Sequence, residues 1–418
     1  MTLPGTGRLV DRDVALLFLT RAVRMFGYGF LSVVLVLYLT ALGLSAFEVG
    51  LLLALTLLGD AAVSLWLTTH ADRIGRRRVL VAGAGLMLAA GLAFVATPVY
   101  AVLVIAATIG VISPSGNEVG PFLAVEQASL SQIVGAERRT GIFARYQLVG
   151  SFSTAAGALA SGGVAQLAIQ DGASPADAYR LVIVGYAMAG IALALLFSRV
   201  SARVEVPAGD VTDQAIRTRL GLHRSQRVVL RLSALFALDA FAGGFVIAGF
   251  ITLWFKERFG VDPAALGALI FGANLLAGLS ALAAGPLARR FGLIRTMVFT
   301  HLPSNVLLVL VPLMPTLPLA ATVLLLRFSI SQMDVPTRQS YTIAIVAPDE
   351  RSAAAGVTGI ARSLGVAASP LIAAPLFLSA AFAWTPFVIA GGLKIAYDLL
   401  LYRAFKAHRS PEEVRAEG

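Results

Sequence analysis

Cysteine is absent from all 418 residues, which excludes disulfides, thiolate metal sites and cysteine nucleophiles. Charge is scarce as well. Only 13% of the residues are Asp, Glu, Lys or Arg, against roughly 25% in a soluble domain. Aromatic residues, at 8%, do not suggest a stacking-rich pocket for a large flat solute. The four histidines, His70, His223, His301 and His408, are scattered, and three lie in loops or tails, so no catalytic histidine cluster is expected. The sequence has no G-x-x-x-x-G-K-[ST] loop for ATP, no G-x-S-x-G elbow and no H-E-x-x-H. These absences argue against an enzyme, and neither a cofactor nor a metal is expected.

What is present is oily. Hydrophobic residues make up 58% of the chain, and its 40 glycines suit closely packed membrane helices. A membrane helix needs about 20 mainly apolar residues. Twelve such runs occur, at 14–38, 47–67, 79–96, 99–134, 142–168, 180–198, 228–253, 264–287, 294–315, 319–346, 353–378 and 384–405. The N-terminal stretch MTLPGTGRLVDRD is polar, and the run after it is too long for a signal-peptide core.

The net charge of +10 comes largely from basic residues in short loops between apolar runs, so it speaks for membrane topology and against nucleic-acid binding. Arg73, Arg76, Arg77 and Arg78 follow the second run, and Arg289, Arg290 and Arg295 follow the eighth. Alternate loops are nearly bare of basic residues. The positive-inside rule then places both termini in the cytoplasm of a multi-pass inner-membrane protein. The expected organisation is a six-helix bundle over 1–198, a cytoplasmic linker over 199–227, a second six-helix bundle over 228–405 and a tail over 406–418. An interfacial amphipathic helix fits within the linker.

The two halves repeat each other. HADRIGRRR (His70–Arg78) corresponds to GPLARRFGLIR (Gly285–Arg295) at a shift of 217. VEQASLSQIV (Val125–Val134) corresponds to TRQSYTIAIV (Thr337–Val346) at a shift of 212. Parallel six-span repeats are a transporter plan, with the substrate bound near the midplane.

On these motifs the whole chain resembles the major facilitator superfamily. The family's loop signature between spans two and three reads G-x-L-A-D-R-x-G-R-R. Here it reads T-T-H-A-D-R-I-G-R-R, matching at Asp72, Arg73, Gly75, Arg76 and Arg77 but with Thr68 and His70 in the glycine and leucine places. The second copy keeps Gly285, Leu287, Ala288, Arg290 and Gly292, with Arg289 in the aspartate place. The resemblance implies an all-α membrane protein of twelve transmembrane helices in two pseudo-symmetric six-helix bundles. It also implies a monomer working by alternating access on a small-molecule substrate in the lipid bilayer. The motif residues are expected to act as a conformational latch, with Asp72 accepting from a helix N-terminus or an arginine of the other half. Family drug exporters often carry an arginine in span four, and none occurs here between Tyr100 and Val134.

Ionisable residues inside spans are rare and usually face a cavity or a partner. The candidates for a substrate and proton pathway are Arg24, Asp60, Asn117, Glu118, Glu126, Arg327, Asp334, Arg338 and Arg362. Arg21, Arg145, Asp239 and Lys394 are expected to reach toward an interface, and Asp398 completes the set. The 212 shift sets Glu126 opposite Arg338, which suggests a pair across the central cavity. Asp334 and Arg338, four apart, share a helical face, as do Arg327 and Asp334. Arg24 and Asp60 are a further candidate pair.

Span four is too long. Its 36 residues would make a helix of ~54 Å, well beyond the ~30 Å hydrocarbon core. The surplus falls in ISPSGNEVGP, where Pro114, Pro121, Gly116 and Gly120 break helical pairing. Ser113–Pro121 therefore reads either as a mid-membrane break lined by Ser115, Asn117 and Glu118, or as a kinked outer end. Glu118 and Glu126 then mark a path for protons. The resulting expectation is proton-coupled efflux by antiport. The alternative is proton-coupled uptake of a small organic or inorganic anion.

Overall fold

The computed structural model describes residues 6–134, 136–205, 224–346 and 350–405, and no strand occurs among them. Sixteen α-helices follow in chain order. They are α1 (Thr6–Ala41), α2 (Ala46–Ile74), α3 (Arg76–Ala96), α4 (Tyr100–Ile109), α5 (Phe122–Ile133), α6 (Ala136–Gln170), α7 (Pro175–Ser198) and α8 (Gln226–Gly244). The remainder are α9 (Ala248–Phe259), α10 (Pro263–Phe291), α11 (Leu293–Leu310), α12 (Leu317–Phe328), α13 (Asp334–Ala344), α14 (Arg351–Ala368), α15 (Pro370–Phe377) and α16 (Thr385–Phe405). Ten stretches are long and apolar enough to cross a membrane, with α8–α9 and α14–α15 each counting as one. The other two spans are broken: α4 with α5, and α12 with α13. The protein is thus an all-α membrane protein of twelve spans in two six-helix bundles.

The chain divides into two compact units, Met1–Asp213 with Val261–Phe271, and Gln214–Gly260 with Gly272–Gly418. Their internal packing repeats. In the first, α1 lies against α6 and α3 against α7; in the second, α8 lies against α14 and α11 against α16. Numbered as spans, these pairs are one–five and three–six, then seven–eleven and nine–twelve. The interfacial helix suggested for the linker falls on residues 206–223 and the tail on 406–418, both outside the described residues.

Small residues set the closest approaches, since packing rather than hydrophobic transfer associates helices in lipid. A Cβ at Gly157 on α6 would run into the Phe26 carbonyl of α1, and one at Gly29 on α1 into the Thr154 carbonyl of α6. By contrast, Gly163, also on α6, faces open space. Gly163→Ala is therefore expected to be neutral or slightly stabilising, because alanine favours helix by roughly 0.5–1 kcal/mol. Gly157→Ala should instead cost about 1–3 kcal/mol through overpacking. Thermal unfolding of the two variants in detergent checks this, and equal midpoints would refute the close approach.

The motif stretch is more compact than a loop. α2 runs on to Ile74, α3 begins at Arg76, and Gly75 alone turns the corner with φ +105°. Gly292 does the same between α10 and α11 with φ +85°. The two corners lie 217 residues apart, the shift read from the motifs. Positive φ of this kind favours glycine.

The break in span four covers residues 110–121, beginning at Gly110 rather than at Ser113. α4 and α5 rise ~15 Å and ~18 Å, each about half of the ~30 Å core, so the break sits near the middle of the span. Gly116 and Gly120 take φ +74° and +78°, and Val111 takes +55° without being glycine. Buried polar groups hold the freed backbone. Tyr186 donates to the Val111 carbonyl (2.8 Å) and Tyr28 to the Val119 carbonyl (3.1 Å). The Gly120 amide donates to Asp60 (2.6 Å), and Ser113 donates to the Asn117 carbonyl (2.7 Å). Such backbone survives at membrane depth only where protein or a wet cavity satisfies it.

Candidate functional site

Each unit holds its own buried charge cluster. In the first, Glu126 of α5 is wholly buried and accepts from Thr20 Oγ1 (2.6 Å), Arg24 Nη2 (2.7 Å) and the Tyr146 hydroxyl. Arg24 of α1, also wholly buried, donates through Nε to Glu118 in the break (2.8 Å). One guanidinium thus joins the two carboxylates singled out in the sequence. Arg21 pairs with Glu118 and donates to Gln147 (2.7 Å). Aromatic faces shield both arginines, Tyr146 under Arg21 and Phe122 under Arg24, each with 4.8 Å from guanidinium to ring centre. The cluster is neutral as drawn, with two arginines on two glutamates. That neutrality is what lets four charges lie out of water.

In the second unit the hub is Asp239 of α8, buried and shared by Lys394 of α16 (2.6 Å), Arg338 of α13 (3.1 Å) and Arg362 of α14 (3.1 Å). Arg338 also pairs with Asp334 (3.0 Å), the i, i+4 contact expected from the spacing. His301 of α11 joins the cluster through Nδ1 to Asp398 (2.9 Å), and its Nε2 lies 4.0 Å from Asp239. Asn305 donates to the other Asp398 oxygen (2.9 Å).

Several expected contacts are replaced by others. Glu126 has its partners within the first unit and Arg338 within the second, where each buried charge is offset by the helices that pack around it. Arg24 serves Glu118 and Glu126 instead of Asp60, which accepts from the Gly120 amide and from Ser64 (3.2 Å) and so braces the break. Arg21, Asp239 and Lys394 are buried among partners instead of reaching an interface, while Arg145 is exposed. Arg327 makes no ion pair with Asp334 among the described residues. Asn117 is exposed in the break. His301, Asn305, Tyr28, Tyr146 and Tyr186 were not singled out from the sequence. His301 and Asn305, four apart with Ser304 in an apolar run, carried a readable signal. The tyrosines carried none, since a tyrosine in a span looks the same whether it caps a carbonyl or packs.

The motif corner is tied within the first unit. Asp72 pairs with Arg76, one turn along (2.8 Å). The free amides at the start of α3, those of Arg76 and Arg77, are instead taken by Glu205 (2.6 and 3.1 Å). Arg76 Nη1 also reaches Gln132 of α5 (2.7 Å) and the Val204 carbonyl (3.1 Å). Arg77 Nη1 touches the Val200 carbonyl at 3.5 Å, and Arg73 is exposed. In the second copy, Gly285 and Arg290 are exposed, and the Arg290 guanidinium lies over the neighbouring Phe291 ring (5.3 Å). A carboxylate on a helix N-terminus contributes about 1–2 kcal/mol. Glu205→Ala is therefore expected to speed amide exchange of residues 76–77 by about tenfold, measured by hydrogen–deuterium exchange. Unchanged exchange would show that the cap does no holding.

With the geometry in hand, the chain can be set beside known proteins. The Major Facilitator Superfamily profile matches residues 17–370 and 233–418. Uncharacterized membrane protein YJR124C of Saccharomyces cerevisiae is 30% identical, the match covering 94% of this chain and 94% of that protein. Among solved structures, nucleoside transporter NupG superposes with a TM-score of 0.70 at 12% identity, covering 95% of this chain and 99% of its own. A D-xylose-proton symporter does so with 0.72 at 17% identity, covering 93% and 97%. At those identities the solved structures speak for the fold, whereas the profile and the yeast relative run along nearly the whole sequence. Repeat, motif corner, twelve spans and sequence kinship agree, and this chain belongs to the major facilitator superfamily.

Proposed function

We propose that the protein is a proton-coupled secondary transporter of a small solute, working by alternating access. The observation that carries this reading is the Glu118–Arg24–Glu126 relay, two carboxylates sharing one wholly buried guanidinium at a break in span four. A proton arriving on either acid cancels its charge and releases one arm of Arg24. That changes which packing of the helices is favoured, which is what a coupling ion must do. Glu118, with 15% of its side chain exposed, is the member nearer to water, and Glu126 with none is the inner one. Tyr146, Thr20 and Arg21 complete the shell and keep the released groups bonded.

The test is substrate-driven proton movement in liposomes holding a pH dye, with small anions, zwitterions and cationic drugs added outside. Exchange, the transport mode of an exporter, makes the interior more alkaline as solute enters. Co-transport makes it more acidic. Labelled solute that crosses with no proton signal of either sign would sink the coupling.

A further inference from the structure

The charges of the second unit do not close. Asp239, Asp334 and Asp398 are taken up by Arg338, Arg362, Lys394 and His301. Arg327 is left over. It lies on the buried stripe of α12 with Ala320 and Leu324, away from exposed Leu319 and Leu326. It is 8% exposed, no acid pairs with it among the described residues, and its Nε is buried without a hydrogen-bond partner. Its guanidinium lies over the face of Phe328, 4.7 Å from the ring centre, and Asp239 and Asp334 act on it only from beyond ion-pair distance, each engaged with other cations. A buried cation with no ion pair of its own is unfavourable, and a partner that supplies one is favoured there.

The position adds a second observation. Arg327 stands ten residues into α12, ~15 Å along a span that must cross ~30 Å, so it sits near mid-membrane. Directly after it the span breaks, at 329–333, before α13 resumes at Asp334. Within the break, Ser331 is buried and its Oγ likewise has no partner. The Gln332 amide has left the helical ladder and donates to Ser280 (3.2 Å). A guanidinium Nε–H and a hydroxyl four residues on, both buried and both unsatisfied, form half of a hydrogen-bonding site. What it lacks is an acceptor bearing negative charge.

We infer that Arg327 and Ser331 bind the anionic group, a carboxylate or an oxyanion, of the transported solute. The inference rests on the transporter reading above and names its substrate class. The bound anion supplies the missing charge, accepts from the Arg327 fork and satisfies the Ser331 hydroxyl. Discrimination against neutral solutes follows, because without the anion both groups stay unpaired.

The test is binding, read apart from flux. Full-length protein in detergent is titrated with succinate, lactate, glutamate, phosphate and sulfate at constant ionic strength, with glucose and choline as uncharged and cationic controls, and the unfolding midpoint is followed. At least one anion should stabilise the wild type. Arg327→Gln should weaken that anion at least about thirty-fold, Ser331→Ala about three- to tenfold, and Arg180→Gln, which removes a half-buried arginine of the first unit already paired with Asp177, should leave it unchanged. Stabilisation by none of the anions, or equal stabilisation in Arg327→Gln, overturns the inference. If Arg327→Gln is not monodisperse, Arg327→Lys and Ser331→Ala decide: weaker binding in both supports the site, and unchanged affinity in both removes it. Anion binding that fails in Arg327→Gln while no solute crosses the liposome membrane keeps the site and removes the transport reading. Flux indifferent to Arg327→Gln keeps transport and removes the site.

Discussion

Glu126→Gln is expected to abolish substrate-driven proton movement while leaving a folded protein that still exchanges its solute. Glutamine keeps the volume and can still accept from Thr20 and Tyr146, which hold Glu126 now. It cannot carry the charge, so Arg24 is left permanently in the arrangement that a proton would otherwise create, with Glu118 as its acid. Proton movement should fall at least about a hundredfold, equivalent to roughly 2.8 kcal/mol of lost coupling. Counterflow of labelled solute, which needs alternating access and no net proton, should stay within about threefold of wild type. Removing one partner of a buried pair is destabilising, but Arg24 retains its second acid, so the loss should be smaller than for an isolated pair. Monodispersity and the unfolding midpoint check that point. Proton movement unchanged from wild type would make Glu126 a packing residue and move the coupling role to Glu118 or Asp60.

The variant also shows where sequence reasoning reaches. Long apolar runs marked the spans, and the motif shift of 217 marked both glycine corners, because a corner needs only local geometry. Span four declared its break by excess length and by glycine and proline. Span ten reads in the sequence as one run over 319–346, and its break at 329–333 corrects that reading, although one residue marks it. Pro336 lacks an amide hydrogen and its ring crowds the carbonyl four residues back, so it belongs in a first turn, and α13 begins two residues before it. Asp334 and Arg338 paired as their spacing predicts.

Partners on different helices were another matter. The repeat gives Glu126 and Arg338 similar depth, but depth does not choose partners. Each acid and arginine is offset inside its own unit, by residues 102 positions away for Glu126 and Arg24 and 99 for Arg338 and Asp239. Nothing in local spacing records such a distance. Arg327 is the instructive exception. It stood out in the sequence as one charge among several, and only the pairing of Arg338, Arg362 and Lys394 leaves it as the buried cation of the second unit with no ion pair among the described residues.

The second large effect should come from Asp239→Asn, measured as stability. Asp239 is the one carboxylate touched by Lys394, Arg338 and Arg362 together. Asparagine keeps one accepting oxygen in place of two and offsets the charge of none. Arg338 still has Asp334 and Arg362 is a third exposed, but Lys394 is 7% exposed and pairs with no other acid among the described residues. Breaking a buried pair on one side costs roughly 3–5 kcal/mol, so the variant should melt well below wild type and aggregate on mild heating. The charge argument is separable from simple loss of packing. Removing the stranded cation as well, in Asp239→Asn with Lys394→Met, should restore more than half of the lost stability, because an apolar side chain of similar length needs no counter-charge. If the double variant is instead worse than the single one, the two substitutions act through shape, and the hub role of Asp239 falls with the Coulomb argument behind it.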